Sequence, residues 1–461
     1  MLDTFDIGRI LRQALAGGGE FADIYFEEGT ATLISCEDGK IEKVLATTDR
    51  GVGIRVISDL RTAYAYTNEV TEASLLDLAR TVSSAVQGNA FTSPIAMGTR
   101  QTGVVVSPIV IHPSSVPLME KVTQVSRADQ AARGLDARVR QVMALYRDGV
   151  ARIQTANSLG EFTDSERTGT LFVAQVVAAD GEVIQTGYET LGGGRGFDLF
   201  NEKSPEEIAL AAARRAVMML SARKAPGGLM PVVLSSEAGG TMVHEAVGHG
   251  LEADLVQSGV SVYRGKVGEQ VASPLVTVID DATIPYARGS FPFDSEGVAG
   301  QKTVLVENGI LKGYLYDRLT ALKDGCSSTG NGRRESYHAK PIVRMTNTLI
   351  TPGGTPPEEI VRSVASGLFV RKMGGGQVNT VTGDFMFEVS EGYLIENGQL
   401  GEPVRGATMT GNGPEVLKKI SMVGSDLGFG IGTCGKDGQG VPVADAQPTL
   451  LIDGITVGGA A

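Results

Sequence analysis

The sequence predicts an α+β chain in two parts. Residues 1–224 read as an N-terminal antiparallel sheet with amphipathic helices, and residues 229–461 as a β-rich, barrel-like part carrying a histidine-bearing helix. Three observations predict this. Short runs rich in Val, Ile, Tyr and Thr recur through both halves, separated by Asp-Gly or Asn-Gly turn signals. Capped helical periodicity falls mostly before residue 224. Ala225-Pro226-Gly227-Gly228 breaks the pattern between the halves.

Composition sets the outer limits. At 461 residues the chain is too long for one ordinary core, so two or three domains are expected. With 42% apolar and 20% charged residues it reads as globular, not disordered. Its 61 glycines, spread over the whole length, predict many tight turns. A net charge of −12 argues against direct nucleic-acid binding, whose affinity comes mainly from Lys and Arg. No apolar run is long enough to span a bilayer, and the acidic start lacks the layout of a signal peptide. Cys36, Cys326 and Cys434 are odd in number and widely spaced, which fits free thiols in a reducing cytoplasm.

Taken in order, residues 5–16 predict a short amphipathic helix stopped by Gly17, Gly18 and Gly19. Strand-like runs follow at 22–26, 31–36, 40–46, 51–57 and 61–66, with Asp38-Gly39 and Asp49-Arg50-Gly51 as meander turns. Cys36 reads as a small buried residue. Thr71 N-caps a helix to Val86. A polar, proline-containing stretch with His112 on a surface loop runs to Pro117, and 118–134 forms another helix. Residues 139–158 and 169–178 alternate like antiparallel strands. Gly192-Gly193-Gly194-Arg195-Gly196 has no clear feeding strand and no helix directly after it, so it reads as a turn and not a phosphate loop. Ser204-Pro205-Glu206-Glu207 is a capping box opening a helix to Arg223.

Past the break, 229–234 predicts a strand, Ser235 or Ser236 caps, and the histidine helix begins. Later strands are clearest at 276–279, 303–306, 342–345, 385–389, 392–395 and 449–452. Asn308-Gly309 and Asn397-Gly398 supply hairpin turns, and one helix capped by Thr355 with Glu358 interrupts the strands.

The chemistry concentrates at His244-Glu245-Ala246-Val247-Gly248-His249. Neutral imidazoles bind Zn²⁺, and an adjacent carboxylate can take a proton from water at the metal. The pattern is H-E-x-x-H with one residue inserted. On a regular helix, residues i and i+5 differ by about 140° in azimuth, so the two rings would face apart. A metal site therefore requires the helix to bulge or break near Gly248. Catalytic zinc usually has three protein ligands, and Glu252, Asp254, Cys326, His338 and Cys434 are all open as the third. Cys434 reads as part of a glycine-dense loop, where Lys436 would favour its thiolate. The same stretch fits a nucleotide loop by count, but Asp437 replaces the required Ser or Thr.

Several blocks in the right order resemble the TldD branch of the TldD/PmbA family. They are His244 to Glu252, Thr329 to Tyr337, Arg344-Met345-Thr346-Asn347-Thr348, Gly374-Gly375-Gly376-Gln377-Val378, Ile420 to Gly424, and Cys434-Gly435-Lys436. That family consists of cytoplasmic zinc metallopeptidases of the H-E-x-x-x-H type, often described as modulators of DNA gyrase. The resemblance implies one Zn²⁺ per active chain on His244, His249 and Cys434, with Glu245 as the catalytic glutamate. It also implies a paired assembly, either a homodimer or a heterodimer with a TldE (PmbA)-like chain.

The expected function is therefore zinc-dependent hydrolysis of peptide bonds in unfolded peptides or small proteins, with Glu245 as general base toward a metal-activated water. Residues 1–224 are expected to enclose substrate and support assembly. Arg334, Tyr337 and His338 are candidate substrate-side donors to the oxyanion. Gly375, Gly376, Gln377 and Val378 offer little bulk and could accept a peptide as an added strand. The alternatives are a non-catalytic peptide-binding or partner-recruiting subunit, and a zinc hydrolase acting on another amide. No membrane or direct nucleic-acid contact is expected.

Overall fold

The computed structural model describes residues 2–88, 93–102 and 108–459, so parts of the polar stretch before Pro117 lie outside the described residues. The N-terminal half is one antiparallel sheet. Its long strands are β1 (Phe21–Glu37), β2 (Lys40–Ser58), β3 (Arg61–Thr67), β4 (Val139–Asn157), β5 (Glu161–Asp180) and β6 (Val183–Gly193). They lie in the order β3-β2-β1-β4-β5-β6, and the short strand Gly98–Thr99 adds beside β5. Asp38 and Gly39, at φ 52° and 76°, close the β1–β2 hairpin, the two-residue turn that matches strand twist.

The turn expected at Asp49-Arg50-Gly51 does not form. β2 runs straight through it in register with β1, so four predicted runs become two long strands. The glycines there serve packing instead. A Cβ on Gly51 would lie 2.2 Å from the Tyr337 ring, and one on Gly53 would lie 1.9 Å from Tyr64 Oη.

Helices α1 (Ile7–Ala14), α2 (Glu72–Ser84), α3 (Leu118–Arg133) and α4 (Pro205–Leu220) cover one face of this sheet. Two of their caps, at Thr71 and Ser204, are those the sequence predicts, and the structure adds one at Asp6. Asp6 accepts from the Arg9 amide, Thr71 from the Ser74 amide, and Ser204 with Glu207 completes a capping box. Even-numbered β1 residues (Ile24, Phe26, Ile34, Cys36) are buried under the helices, as period-two alternation requires. The odd-numbered residues, including Tyr25, Glu27 and Gly29, face the C-terminal half.

The C-terminal strands that build the barrel and second sheet include β7 (Gly228–Leu234), β8 (Val278–Asp281), β9 (Lys302–Glu307), β10 (Asn347–Ile350), β11 (Ser366–Val378), β12 (Asp384–Glu396), β13 (Thr408–Asn412), β14 (Gly428–Lys436), β15 (Gln439–Gln447) and β16 (Leu450–Gly458). Five of them close on themselves as a barrel in the order β11-β7-β16-β13-β12-β11. The α+β reading with a barrel-like second half therefore holds. A second sheet runs β9-β8-β10-β15-β14, with β10 and β15 parallel and β14 at an edge.

Three local expectations are corrected. The runs 385–389 and 392–395 are one strand, β12. The stretch holding Cys434 is strand β14, not a loop, because its glycines pair with β15 residue for residue. The helix Pro357–Arg362 starts from Pro356 with no side-chain cap, so Thr355 and Glu358 form no capping box. A continuous core of Val247, Leu251, Val343, Met345, Val441 and their neighbours links barrel, second sheet and histidine helix.

Buried charge joins the halves. Arg55 of β2 bonds Asp23 of β1 and lies 2.7 Å from Glu296, all three nearly inaccessible to solvent. Removing one partner from such a network leaves uncompensated buried charge, at a cost of about 3–5 kcal/mol. Arg55→Met should therefore destabilise the chain by that amount, read from the urea unfolding midpoint. A loss under about 1 kcal/mol would show that water reaches Asp23 and Glu296 after all.

Candidate metal centre

The helix problem posed by the five-residue histidine spacing is solved by widening one turn. Residues His244–Gly248 form a π-helical turn in which the His249 amide donates to the His244 carbonyl. Such a turn brings i and i+5 onto one face, which a regular helix cannot do. A single 3₁₀ turn, His249–Leu251, then ends the helix. The helix is thus both bulged and broken around Gly248, as the sequence requires of a metal site.

Neighbouring residues hold the distorted turn. Tyr263 Oη donates to the Ala246 carbonyl at 3.1 Å. Gly248 lies against Met345, where a Cβ would sit 1.9 Å from the sulfur. Gly240, just before the helix, donates its amide to Asp445 Oδ1 at 2.9 Å, tying the helix start to β15.

Cys434 reaches the same point from β14. The ligand atoms of His244, His249 and Cys434 all lie within 4.8 Å of one another. Cys434 Sγ is 3.4 Å from His249 Nε2, and the imidazole rings sit edge-on with centroids 5.1 Å apart. His249 Nδ1 is hydrogen-bonded to Glu252 Oε2 at 3.0 Å, which orients the ring with Nε2 toward the cysteine. Lys436 in turn lies 3.1 Å from Glu252 and 2.7 Å from Asp254, and donates to the Val343 carbonyl at 3.0 Å.

Electrostatics follow from this geometry. Burial pushes the Cys434 thiol up, but hydrogen bonds from both histidines win and bring it down to about 5. Burial likewise opposes the charged form of Glu252, yet His249 and Lys436 hold it at about 2. His249 is raised well above its ordinary value despite burial, chiefly by the Glu252 carboxylate. Without a cation the cluster is therefore poised as thiolate beside imidazolium, and a cation entering it displaces the proton.

The donor set fits a metal ion by a further observation. His244 Nδ1 is buried and has no hydrogen-bond partner among the described residues. A buried orphan nitrogen is costly unless something unseen occupies it. Glu245, half-buried on the π turn, faces an adjoining cavity of about 440 Å³ whose wall also includes His249, Gln377, Val378 and Lys436.

The other predicted residues separate. Gln377 and Val378 line that cavity, while Gly375 and Gly376 are exposed on the same strand, β11. Beyond Val370, β11 pairs only with β12, so its other edge is open. Of the third-ligand candidates, Glu252 and Asp254 hold the surrounding charges, and Cys326 is exposed outside the cluster. Arg334 and Tyr337 are not brought to the histidines. Both are buried in the seam between the halves: Arg334 lies over the Tyr25 ring and bonds Tyr64 Oη, and Tyr337 bonds Asp49. His338 is exposed and stacks on Tyr337.

Sequence reasoning missed two buried arginines. Arg344 donates to the carbonyls of Cys434 and Gln439, and Arg333 to those of Met345 and Pro442. Together they clamp the β14–β15 hairpin that presents Cys434. Their only sequence signal is membership of the Thr329–Tyr337 and Arg344–Thr348 blocks.

Comparison with known proteins places the chain in a family. Residues 227–459 match the PmbA/TldA metallopeptidase C-terminal domain, 111–220 its central domain and 22–87 its domain 1. A metalloprotease TldD homolog from Haemophilus influenzae is 41% identical over 455 residues, covering 95% of this chain and 93% of that protein. A metalloprotease from Methanothermobacter thermautotrophicus is 37% identical, with 99% of each chain covered. The chain belongs to the PmbA/TldD metallopeptidase family. Its fold is shared with TldE from Thermococcus kodakarensis (TM-score 0.80, 19% identity, 98% and 99% covered). It also matches the crystal structure of a candidate modulator of a DNA gyrase from Thermotoga maritima (TM-score 0.79, 25% identity, 95% and 96% covered). Metalloprotease relatives imply a metal, and the His244–His249–Cys434 cluster is where a family member of this sequence can hold one.

Proposed function

We propose that this chain is a zinc-dependent metallopeptidase acting on unfolded peptides or small proteins. One observation carries the reading: three ligand atoms within 4.8 Å, beside a cavity that Glu245 lines. Two imidazoles and a thiolate suit Zn²⁺, one ion per chain, with room for a further position. When bound, the ion supplies Lewis acidity toward a carbonyl oxygen and toward water.

The chain's own residues do the rest. Glu245 accepts a proton at its carboxylate from the attacking water and passes it to the leaving amine nitrogen. Glu252 keeps the His249 ring oriented, and Lys436 keeps Glu252 ionised. The open edge of β11 offers main-chain groups to an extended peptide, so binding depends little on side-chain sequence. A Cβ at Gly375 would meet nothing within 4 Å, so Gly375→Val leaves the fold alone but crowds that edge. It should raise KM several-fold with kcat little changed, and an unchanged KM would remove β11 from the substrate path.

Arg334 and Tyr337 are assigned to joining the halves. Residues 1–224 then enclose substrate and support pairing with a second copy or a TldE (PmbA)-like chain, in the cytoplasm. Among the described residues no helix is long and apolar enough to cross a membrane. The intact cluster favours catalysis over the binding-subunit alternative. The deciding experiment is a peptide-digest mass spectrum of the zinc-loaded chain, alone and with a TldE-like chain from the same organism. New peptide termini are expected. Activity alone indicates a homodimer, dependence on the second chain a heterodimer, and no cleavage in either case overturns the reading.

A further inference from the structure

A second cavity lies apart from the one beside Glu245. A space of about 930 Å³ separates the odd-numbered face of β1 from the β14–β15 hairpin, with Thr433 and Gly440 on its hairpin wall. Side chains alternate along β14, so Thr433 points to the opposite face from Cys434. The cavity and the metal cluster thus share one hairpin, back to back.

Four arginines line this space: Arg147, Arg167, Arg288 and Arg333. Among the described residues none has a carboxylate partner within ion-pair distance. Arg167 donates to the Phe293 carbonyl at 3.1 Å, and Arg288 to the Gly432 carbonyl at 3.1 Å. Arg333, 2% exposed, is engaged with main-chain carbonyls, and the buried Nε atoms of Arg167 and Arg333 have no partner. Burial and then the neighbouring guanidinium depress Arg288 and Arg333, the latter to about 9. Glu27 feels the charge of Arg167, yet guanidinium donors left out of any ion pair remain open to an anionic ligand.

Carboxylates line the same cavity, but each has other work. Asp148 pairs with Lys121, Glu166 lies 3.5 Å from His112, Glu27 accepts from Tyr25 Oη, Asp49 from Tyr337 Oη, and Glu335 from the Gly440 amide. They also set the ligand's chemistry. Five carboxylates interleaved with the arginines repel a polyphosphate chain but leave room for one isolated anion. Guanidinium forks match a carboxylate bidentately.

We infer that this cavity is an exosite for a carboxylate of the polypeptide substrate, an acidic side chain or the C-terminus, held by Arg147, Arg167 and Arg288. The inference deepens the peptidase reading and rests on it for the substrate class. Passing round the hairpin edge from cavity to cluster takes a span of about 10 Å, roughly three extended residues or more. The preference therefore concerns an acidic group several residues from the cleaved bond.

Binding separates this inference from the activity it builds on. Fluorescein-labelled unstructured peptides that differ only in Glu against Gln, each with a free or amidated C-terminus, are titrated by anisotropy into zinc-loaded full-length Glu245→Gln protein. The same titration follows with Arg147→Gln and Arg288→Gln added. The anionic peptide should bind about tenfold tighter than its neutral twin, the gain of one partly desolvated charge-assisted pair. The added substitutions should erase that difference while leaving the neutral peptide's Kd unchanged. Comparing the Glu and amidated arms tells a side chain from a C-terminus. Equal Kd values for anionic and neutral peptides, or a preference that survives both substitutions, overturn the exosite. So does tighter binding of a single-stranded oligonucleotide than of the acidic peptide. Absence of peptide cleavage by the wild-type chain bears instead on the peptidase reading.

Discussion

Glu245→Gln is expected to lower kcat by about two to four orders of magnitude with zinc content unchanged. The substitution is close to isosteric and removes only the ability to take a proton. Glu245 is half-buried on the π turn and makes no hydrogen bond among the described residues, so no structural partner is lost. Glu252→Gln makes the informative contrast. That carboxylate is fully buried between His249 and Lys436, and its neutralisation removes the charge that orients a ligand. Its expected effect is a roughly 10- to 100-fold loss of zinc affinity, with activity recovering at high zinc. Metal analysis beside steady-state kinetics separates the two. Full activity in Glu245→Gln at one zinc per chain would disprove its role as the base.

Much of this was readable from residues alone because local chemistry dictates it. Caps at Thr71 and Ser204 and turns at Asp38-Gly39, Asn308-Gly309 and Asn397-Gly398 need only their own neighbours. The demand that the histidine helix distort follows from angular arithmetic on two positions. What stayed hidden depends on contacts distant in sequence. Gly51 imitates a turn signal, yet it is small because Tyr337, from the other half, lies on it. The glycines around Cys434 imitate a loop, yet they pair with β15, whose register Arg344 fixes from nearly a hundred residues away. Arg334 and Tyr337 carry polar groups suited to catalysis, but burial against Tyr25 and Asp49 uses them in the seam. Residue type announces chemistry, and only topology says where that chemistry is applied.

Cys434→Ala should abolish stoichiometric zinc binding and the stability that depends on it. An ion present at about a thousand times its Kd stabilises the folded chain by about 4 kcal/mol, and a chelator removes that increment. Wild-type protein is therefore expected to melt lower in chelator. Cys434→Ala should melt at the chelated wild-type position whether or not chelator is present. Packing loss does not explain such a result. Cys434 is 4% exposed within the core, but the substitution removes only its sulfur, leaving the β-carbon as a methyl group among the same neighbours. A packing defect would also lower the melting point below that of chelated wild type, a difference the same scan reads. His244→Ala should likewise lose the response to chelator, since it removes another of the three clustered donors. Were Cys434→Ala to retain one zinc per chain and keep its response to chelator, the third ligand would lie elsewhere. Glu252, already on the cluster's rim through His249, would then be the residue to substitute next.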